Sequence, residues 1–239
     1  MNDRIVWVTG AGSGMGRAAA VRAAAAGWTV ALTGRRVDAL RETASRIESA
    51  GGTAILAQAD VQDLDSLRDA YDSIRENGVP VSALVLSAGL NAPERSWSDQ
   101  SMAEFERIVQ TNLTAVAATI DIALPDLRRT SGTVVVISSV AGWRFTPHAG
   151  VAYSASKSAL AAVCASLNAQ ETAAGVRACH LCPGDVDTDF LALRPQVPGD
   201  EARSVMLTPD DVARAVQFVL DSPAHVRINE LVITPASQG

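Results

Sequence analysis

The sequence predicts an α/β protein: one domain over residues 1–239, built on a doubly wound, seven-stranded parallel sheet with helices on both faces. Three observations predict it. Short apolar, β-branched runs alternate along the chain with Ala-rich or amphipathic runs of helical length. The first apolar run leads straight into a glycine-rich turn that opens a helix. The chain is 48% hydrophobic and 19% charged, which suits strands buried on both faces and excludes a disordered chain.

The elements follow in order. Ile5–Thr9 is the first strand, and Gly10-Ala11-Gly12-Ser13-Gly14-Met15-Gly16 turns it into a helix ending near residue 26. A glycine cluster alone marks only a tight turn. Between a strand and a helix, glycines let backbone N–H groups and a helix N-terminus approach a pyrophosphate, so Gly10, Ser13, Gly14, Met15 and Gly16 are candidate nucleotide-binding residues. The unit repeats with strand Thr29–Thr33, then Gly34-Arg35-Arg36 and a helix over 37–50. The end of a second strand in such folds faces the adenosine ribose, where a carboxylate binds the 2′-hydroxyl and arginine accommodates a 2′-phosphate. Arg35 and Arg36 with no acid favour NADP over NAD. The alternative is two solvated charges, although cations at a helix start oppose its dipole unless an anion is bound.

Strand 53–58 runs into Ala59-Asp60-Val61, at the carboxyl edge where open α/β sheets place their ligands. Asp60 there is either an adenine-side ligand or an ordinary loop residue. A helix over 63–77, strand 83–86 with Ser87-Ala88-Gly89, and a polar linker containing Pro93 follow. A helical region over 101–129 then holds Asn112, an unfavourable residue in mid-helix that hints at a task. Strand 133–138 is nearly all β-branched and delivers Ser139 to the same carboxyl edge. An Ala-rich helix over 152–174, strand 176–182 and Pro183-Gly184-Asp185-Val186-Asp187-Thr188 come next. Residues 189–206, with two prolines and a glycine and no periodicity, read as a functional loop, a substrate lid. Helix Pro209–Leu220 and a strand over 231–234, stopped by Pro235, close the chain.

Composition also bounds the partners. A net charge of −6 gives no electrostatic case for nucleic acid or an anionic membrane. No apolar run reaches the length of a membrane span, and the polar opening leads into a strand without a signal peptide, so a cytoplasmic location is expected. Cys179 and Cys182 form C-x-x-C, but on a strand residues three apart point to opposite faces, so buried thiols are expected. No metal site is expected, because His148, His180 and His225 are scattered.

Tyr153 and Lys157 stand four residues apart on the Ala-rich helix and share one face. Pairs at that spacing are common and usually carry no chemistry. A phenol beside an ammonium is a candidate acid–base pair, because the cation favours the phenolate and brings proton exchange toward neutral pH.

Taken together, Thr9-Gly10-x-x-x-Gly14-x-Gly16, Asp60-Val61, Ala88-Gly89, Asn112, Ser139, Tyr153-x-x-x-Lys157 and Pro183-Gly184-x-Val186-x-Thr188 resemble the short-chain dehydrogenase/reductase family over nearly the whole chain. The resemblance implies a Rossmann-like fold, an oxidoreductase of alcohols and ketones using a nicotinamide cofactor, and a homo-oligomer, a dimer or tetramer. Tyr153 would exchange a proton with the substrate oxygen, Lys157 would lower its pKa and hold the nicotinamide ribose, Ser139 would hydrogen-bond the same oxygen, and Asn112 would organise a water chain to Lys157. Gly10, Gly14 and Gly16 would line the pyrophosphate, Arg35 and Arg36 the 2′-phosphate, Asp60 with Val61 the adenine, and Thr188 with Pro183, Gly184 and Val186 the carboxamide. Arg35 and the ending Ile228-Asn229-Glu230-Leu231-Val232-Ile233 look like NADP-dependent members that oxidise small 3-hydroxy acids, including serine. Ser87 stands where most of the family has asparagine, and Ser13 where NADP-preferring relatives often carry a basic residue.

Trp143, Arg144, Phe145, His148 and Phe190 flank the catalytic positions in sequence, and Arg144 is the expected partner of a substrate carboxylate. The leading expectation is a dehydrogenase of a small polar alcohol or its ketone. A carbonyl reductase for apolar or carrier-bound ketones is the rival of the same chemistry. A non-catalytic NADP-sensing protein is the rival of another class, and it needs the glycine turn but not Ser139, Tyr153 and Lys157 together.

Overall fold

The computed structural model describes residues 4–238; residues 1–3, expected to form a polar opening, lie outside the described residues, as does residue 239. The strands are β1 (Ile5–Thr9), β2 (Thr29–Thr33), β3 (Thr53–Leu56), β4 (Val81–Leu86), β5 (Thr133–Ile137), β6 (Arg177–Pro183) and β7 (Glu230–Ile233). They form one seven-stranded sheet in the order β3-β2-β1-β4-β5-β6-β7, and every pair is parallel. The chain reverses its winding between β1 and β4, so their carboxyl ends open a crevice in which such sheets bind ligands.

The helices are α1 (Gly14–Ala25), α2 (Val37–Ser49), α3 (Leu64–Arg75), α4 (Met102–Val109), α5 (Ala115–Thr130), α6 (Val140–Trp143), α7 (Val151–Gln170), α8 (Asp200–Ser204) and α9 (Pro209–Leu220). Strand side chains alternate between two cores, as the pleat requires. Val6, Val8, Val30 and Leu32 meet Ala20 and Ala23 of α1, Leu40 and Ile47 of α2, and Val212 and Val216 of α9. On the opposite face, Trp7, Leu84, Val134 and Val136 meet Leu67 and Ile74 of α3, Ile120 and Leu127 of α5, and Leu160 of α7. Alanine fills α1 because a helix must pack close behind the glycine turn.

The structure departs from the sequence expectations at several places: strand 53–58 ends at Leu56, and the helix expected over 152–174 ends at Gln170, followed by a 3₁₀ turn at Thr172–Ala174. The helix expected over 101–129 is α4, a π-helical turn at Gln110–Thr114, and α5. That run is 29 residues, long and apolar enough by composition to cross a membrane, contrary to the expectation; its apolar residues Val116, Ile120, Ala123 and Leu127 instead pack on the sheet. Strand β4 starts at Val81, two residues early, where Val81 pairs with Ile5 of β1; Asp126 of α5 accepts the Val81 N–H at 3.0 Å. An unexpected helical turn, α6, begins at Val140, with Ser139 as its N-cap. The 189–206 segment is ordered into a 3₁₀ turn over Asp189–Leu193 and the short α8.

Candidate active site

The glycine turn is built by close approach. Gly10 and Gly14 have φ of +67° and +51°, which L side chains rarely adopt, and a Cβ at Gly16 would lie 2.3 Å from the Gly10 carbonyl oxygen. Arg17 braces the turn, donating to the Gly12 carbonyl at 2.6 Å while pairing with Glu42 at 3.0 Å. A cleft of about 240 Å³ lies over it, lined by Gly10, Ser13, Gly14, Met15, Arg35, Asp60, Val61, Ala88 and Gly89 among others. Gly16 and Arg36 are outside that lining; Gly16 packs against the Gly10 carbonyl, and Arg36 stands at the N-terminal end of α2 with no side-chain cap to it. Exposed Arg35 sits at the mouth, and Asp60 orders its own loop by accepting the Gln62 N–H at 3.1 Å. The loops that carry Arg35 and Asp60 adjoin, with the Ala59 N–H donating to the Gly34 carbonyl at 3.3 Å, so backbone N–H groups of the glycine turn, a guanidinium and an accepting carboxylate line one cleft, a set whose chemistry fits a dinucleotide.

A second cavity of about 670 Å³ shares Met15, Ser87, Gly89, Thr188 and Phe190 with the first, so the two are continuous. Ser139, Tyr153, Lys157, Pro183, Gly184 and Val186 line it. Ser139 reaches it because β5 ends there: its hydroxyl caps α6 by accepting the Ala141 N–H at 3.1 Å, and it hydrogen-bonds the Tyr153 phenol. The Lys157 ammonium lies 5.8 Å from the centre of the Tyr153 ring and donates to the Ile137 carbonyl at 2.9 Å. Phe190 packs against Tyr153 with ring centres 6.1 Å apart.

Protonation energetics differ from the sequence expectation in one respect. Burial raises the Tyr153 pKa, and the groups that pull it back down are Ser139, Arg194 and Arg95. Lys157 is not the charge that lowers it: burial drives Lys157 itself down to about 8. Burial withdraws water from the phenolate and from the ammonium alike, so it raises the pKa of the one and lowers that of the other.

Asn112 lies in the π-helical turn, fully buried and outside both linings. Its Oδ1 accepts the Leu90 N–H at 2.7 Å, and its Nδ2 donates to the Leu90 carbonyl at 2.9 Å and to Ser156 at 3.2 Å. It clamps the loop after β4 to α7. Of the flanking residues, His148, with a left-handed φ of +65°, and Phe190 line the large cavity. Trp143 and Phe145 are exposed outside that lining, and Arg144 stacks on Trp143 at 5.6 Å. The arginines of the cavity are instead Arg95 and Arg194, joined by Asn91, Asp185 and Gln238. Sequence reasoning gave none of these five a role: Asn91 and Arg95 come from a polar linker, Arg194 from an aperiodic loop and Gln238 from the chain's end, while Asp185 sits inside the Pro183–Thr188 stretch without being singled out.

The three cysteines are free and buried, with thiol pKa values raised to about 12 by burial. Cys179 faces the α9 side and Cys164 the α7 side of the sheet. His180, expected to stand alone, meets Cys182 at 3.3 Å and Glu230 at 3.2 Å, a hydrogen-bonded group with one ligand atom from each residue.

Known proteins of similar sequence and fold are numerous. "Sulfoacetaldehyde reductase 2" of Chromohalobacter salexigens is 35% identical over all of this chain and 96% of its own length. "Glycine betaine reductase ATRR" of Emericella nidulans is 32% identical, although this chain spans only 19% of it. An alcohol dehydrogenase from Thermococcus sibiricus, complexed with 5-hydroxy-NADP, superposes with a TM-score of 0.89 at 30% identity, over 99% of this chain and 98% of that one. The closed form of a serine dehydrogenase complexed with NADP+ superposes at 0.87 and 30% identity, over 98% and 96%. The sequence profile described as "short chain dehydrogenase" matches residues 4–197. With its glycine turn, parallel sheet and Ser-Tyr-Lys group in that register, the chain belongs to the short-chain dehydrogenase family of oxidoreductases.

Proposed function

We propose that the protein is an NADP(H)-linked dehydrogenase that interconverts a small polar alcohol, with a 3-hydroxy acid as first candidate, and its ketone or aldehyde. One observation carries the reading: Ser139, Tyr153 and Lys157 line a cavity that opens onto the cleft above the glycine turn. A nicotinamide bound along that cleft supplies the hydride acceptor or donor. The chain's residues manage everything else. Ser139 holds the substrate oxygen beside the phenol, and Tyr153 takes the hydroxyl proton during oxidation or returns it during reduction. The raised pKa keeps Tyr153 protonated at neutral pH, which suits the reductive direction. Lys157, neutral and charged in comparable amounts near pH 8, relays that proton.

Arg35 at the mouth of the cleft, with no acid at the end of β2, supports NADP over NAD, and two structural relatives are NADP complexes. Residues 189–206 act as the lid, held by Arg203–Asp187 at 2.7 Å and by Arg194–Asp185. Three free thiols support a reducing, cytoplasmic setting. The test follows reduced-nicotinamide absorbance with NADP and NAD in parallel for Tyr153→Phe and the parent protein. Turnover should fall by about 10²- to 10⁴-fold while NADPH affinity is retained. Unchanged turnover would remove Tyr153 from the chemistry, and a parent that binds NADPH but turns over no alcohol would favour a sensor.

A further inference from the structure

We propose that Arg95 and Arg194 form an anion subsite beside Tyr153, which takes the carboxylate or sulfonate end of a short hydroxy or oxo acid. The inference rests on the reading of this cavity as the seat of alcohol–ketone chemistry. The chain carries a net charge of −6, yet the cavity lining holds the basic groups Arg95, Lys157 and Arg194 against one carboxylate, Asp185. Asp185 is engaged by Arg194. Arg95 is 8% exposed, and its two hydrogen bonds go to neutral carbonyls, Nε to Ala92 at 2.7 Å and Nη2 to Leu193. Among the described residues no carboxylate forms an ion pair with Arg95, and Nη1 has no hydrogen-bond partner.

A nearly buried guanidinium without a carboxylate partner, in a cavity it shares with a second guanidinium, is costly unless an anion joins it. The strain is visible in Arg95, whose pKa is lowered by burial and then by the charge of Arg194. Both arginines also pull the Tyr153 pKa down, so their charges act at the oxygen that exchanges the proton. An acid group held by two guanidinium forks would therefore sit a short chain away from the reacting carbon. Arg95 also straps the lid, since it ties Leu193 to the loop at Ala92. A strap alone would affect charged and uncharged substrates equally.

The experiment measures kcat and KM for NADP-linked oxidation of 3-hydroxypropanoate, 2-hydroxyethanesulfonate and uncharged 3-hydroxypropanamide by the parent, Arg95→Met, Arg95→Lys and Arg194→Met. The parent should show KM values for the acids at least about tenfold below that of the amide. Each methionine variant should erase that gap by raising KM for the acids alone, and Arg95→Lys should keep part of it. The acid with the lower parent KM identifies carboxylate or sulfonate as the preferred headgroup. Equal losses on all three substrates, or loss of the acid preference in Arg144→Ala but not in the Arg95 variants, would overturn the assignment. A readout without variants or turnover is thermal protection of the parent in the presence of NADP. Propanoate or ethanesulfonate should raise Tm where propanamide does not, and equal protection would overturn the subsite. Protection by the acids with no oxidation of any alcohol would leave the subsite standing and refute the dehydrogenase reading. Turnover with no preference for acids would refute the subsite alone.

Discussion

Lys157 shows at the scale of one residue what burying an ammonium costs the fold. The residue is 4% exposed and its ammonium protonates at about 8, against 10.5 for the same group in water. A lowered pKa in a base penalises folding: the penalty is full below pH 8, shrinks as pH rises from 8 to 10.5, and vanishes above. Its size is about 3 kcal/mol. Lys157→Met should therefore gain stability relative to the parent at pH 7 and lose about that much of its advantage by pH 10.5, measured by urea unfolding at both pH values, while turnover disappears. A stability difference that does not move with pH would show that the ammonium is solvated after all. The Tyr153–Lys157 pairing itself was legible, because a spacing of four residues on a helix puts two side chains on one face whatever surrounds them. The direction of the Tyr153 shift was not, since it depends on burial and on Arg95 and Arg194, residues far away in sequence.

At the scale of elements, the first three strands are pinned by a buried polar chain. Trp7 of β1 donates from Nε1 to Thr33 of β2 at 2.8 Å, and the Thr33 hydroxyl donates to the Ala57 carbonyl just past β3 at 2.7 Å. Thr33→Val keeps the shape but leaves a buried donor and acceptor unpaired, and it should cost about 2 to 4 kcal/mol in denaturant unfolding. A loss below about 0.5 kcal/mol would mean that water replaces the hydroxyl. Strand–turn–helix units of this kind were readable in order because their period is local. The π-helical turn around Asn112 was not readable: a residue is inserted into the helical ladder only because Asn112 must face Leu90 and Ser156, both supplied by other parts of the fold. The odd polar residue in mid-helix was the one signal of it.

For the whole molecule, the sheet ends at β7, whose outer edge has no partner strand among the described residues, and α9 exposes Phe218 at 61%. An unpaired strand edge and an exposed aromatic are both features that proteins cover. The protein should sediment at a multiple of its 24.9 kDa chain mass, and Phe218→Glu should shift it toward the single-chain mass. A monomer in the parent protein, or no shift in the variant, would place the contact elsewhere or remove it. The doubly wound sheet, the glycine turn and the Ser139, Tyr153 and Lys157 positions were all present in residue order, since each rests on patterns spanning fewer than about twenty residues. Only folding decided that Arg95 from a linker, Arg194 from an aperiodic loop and Gln238 from the chain's end would stand around Tyr153. Long-range packing sets those neighbours, and loops carry no period from which their meeting place can be read.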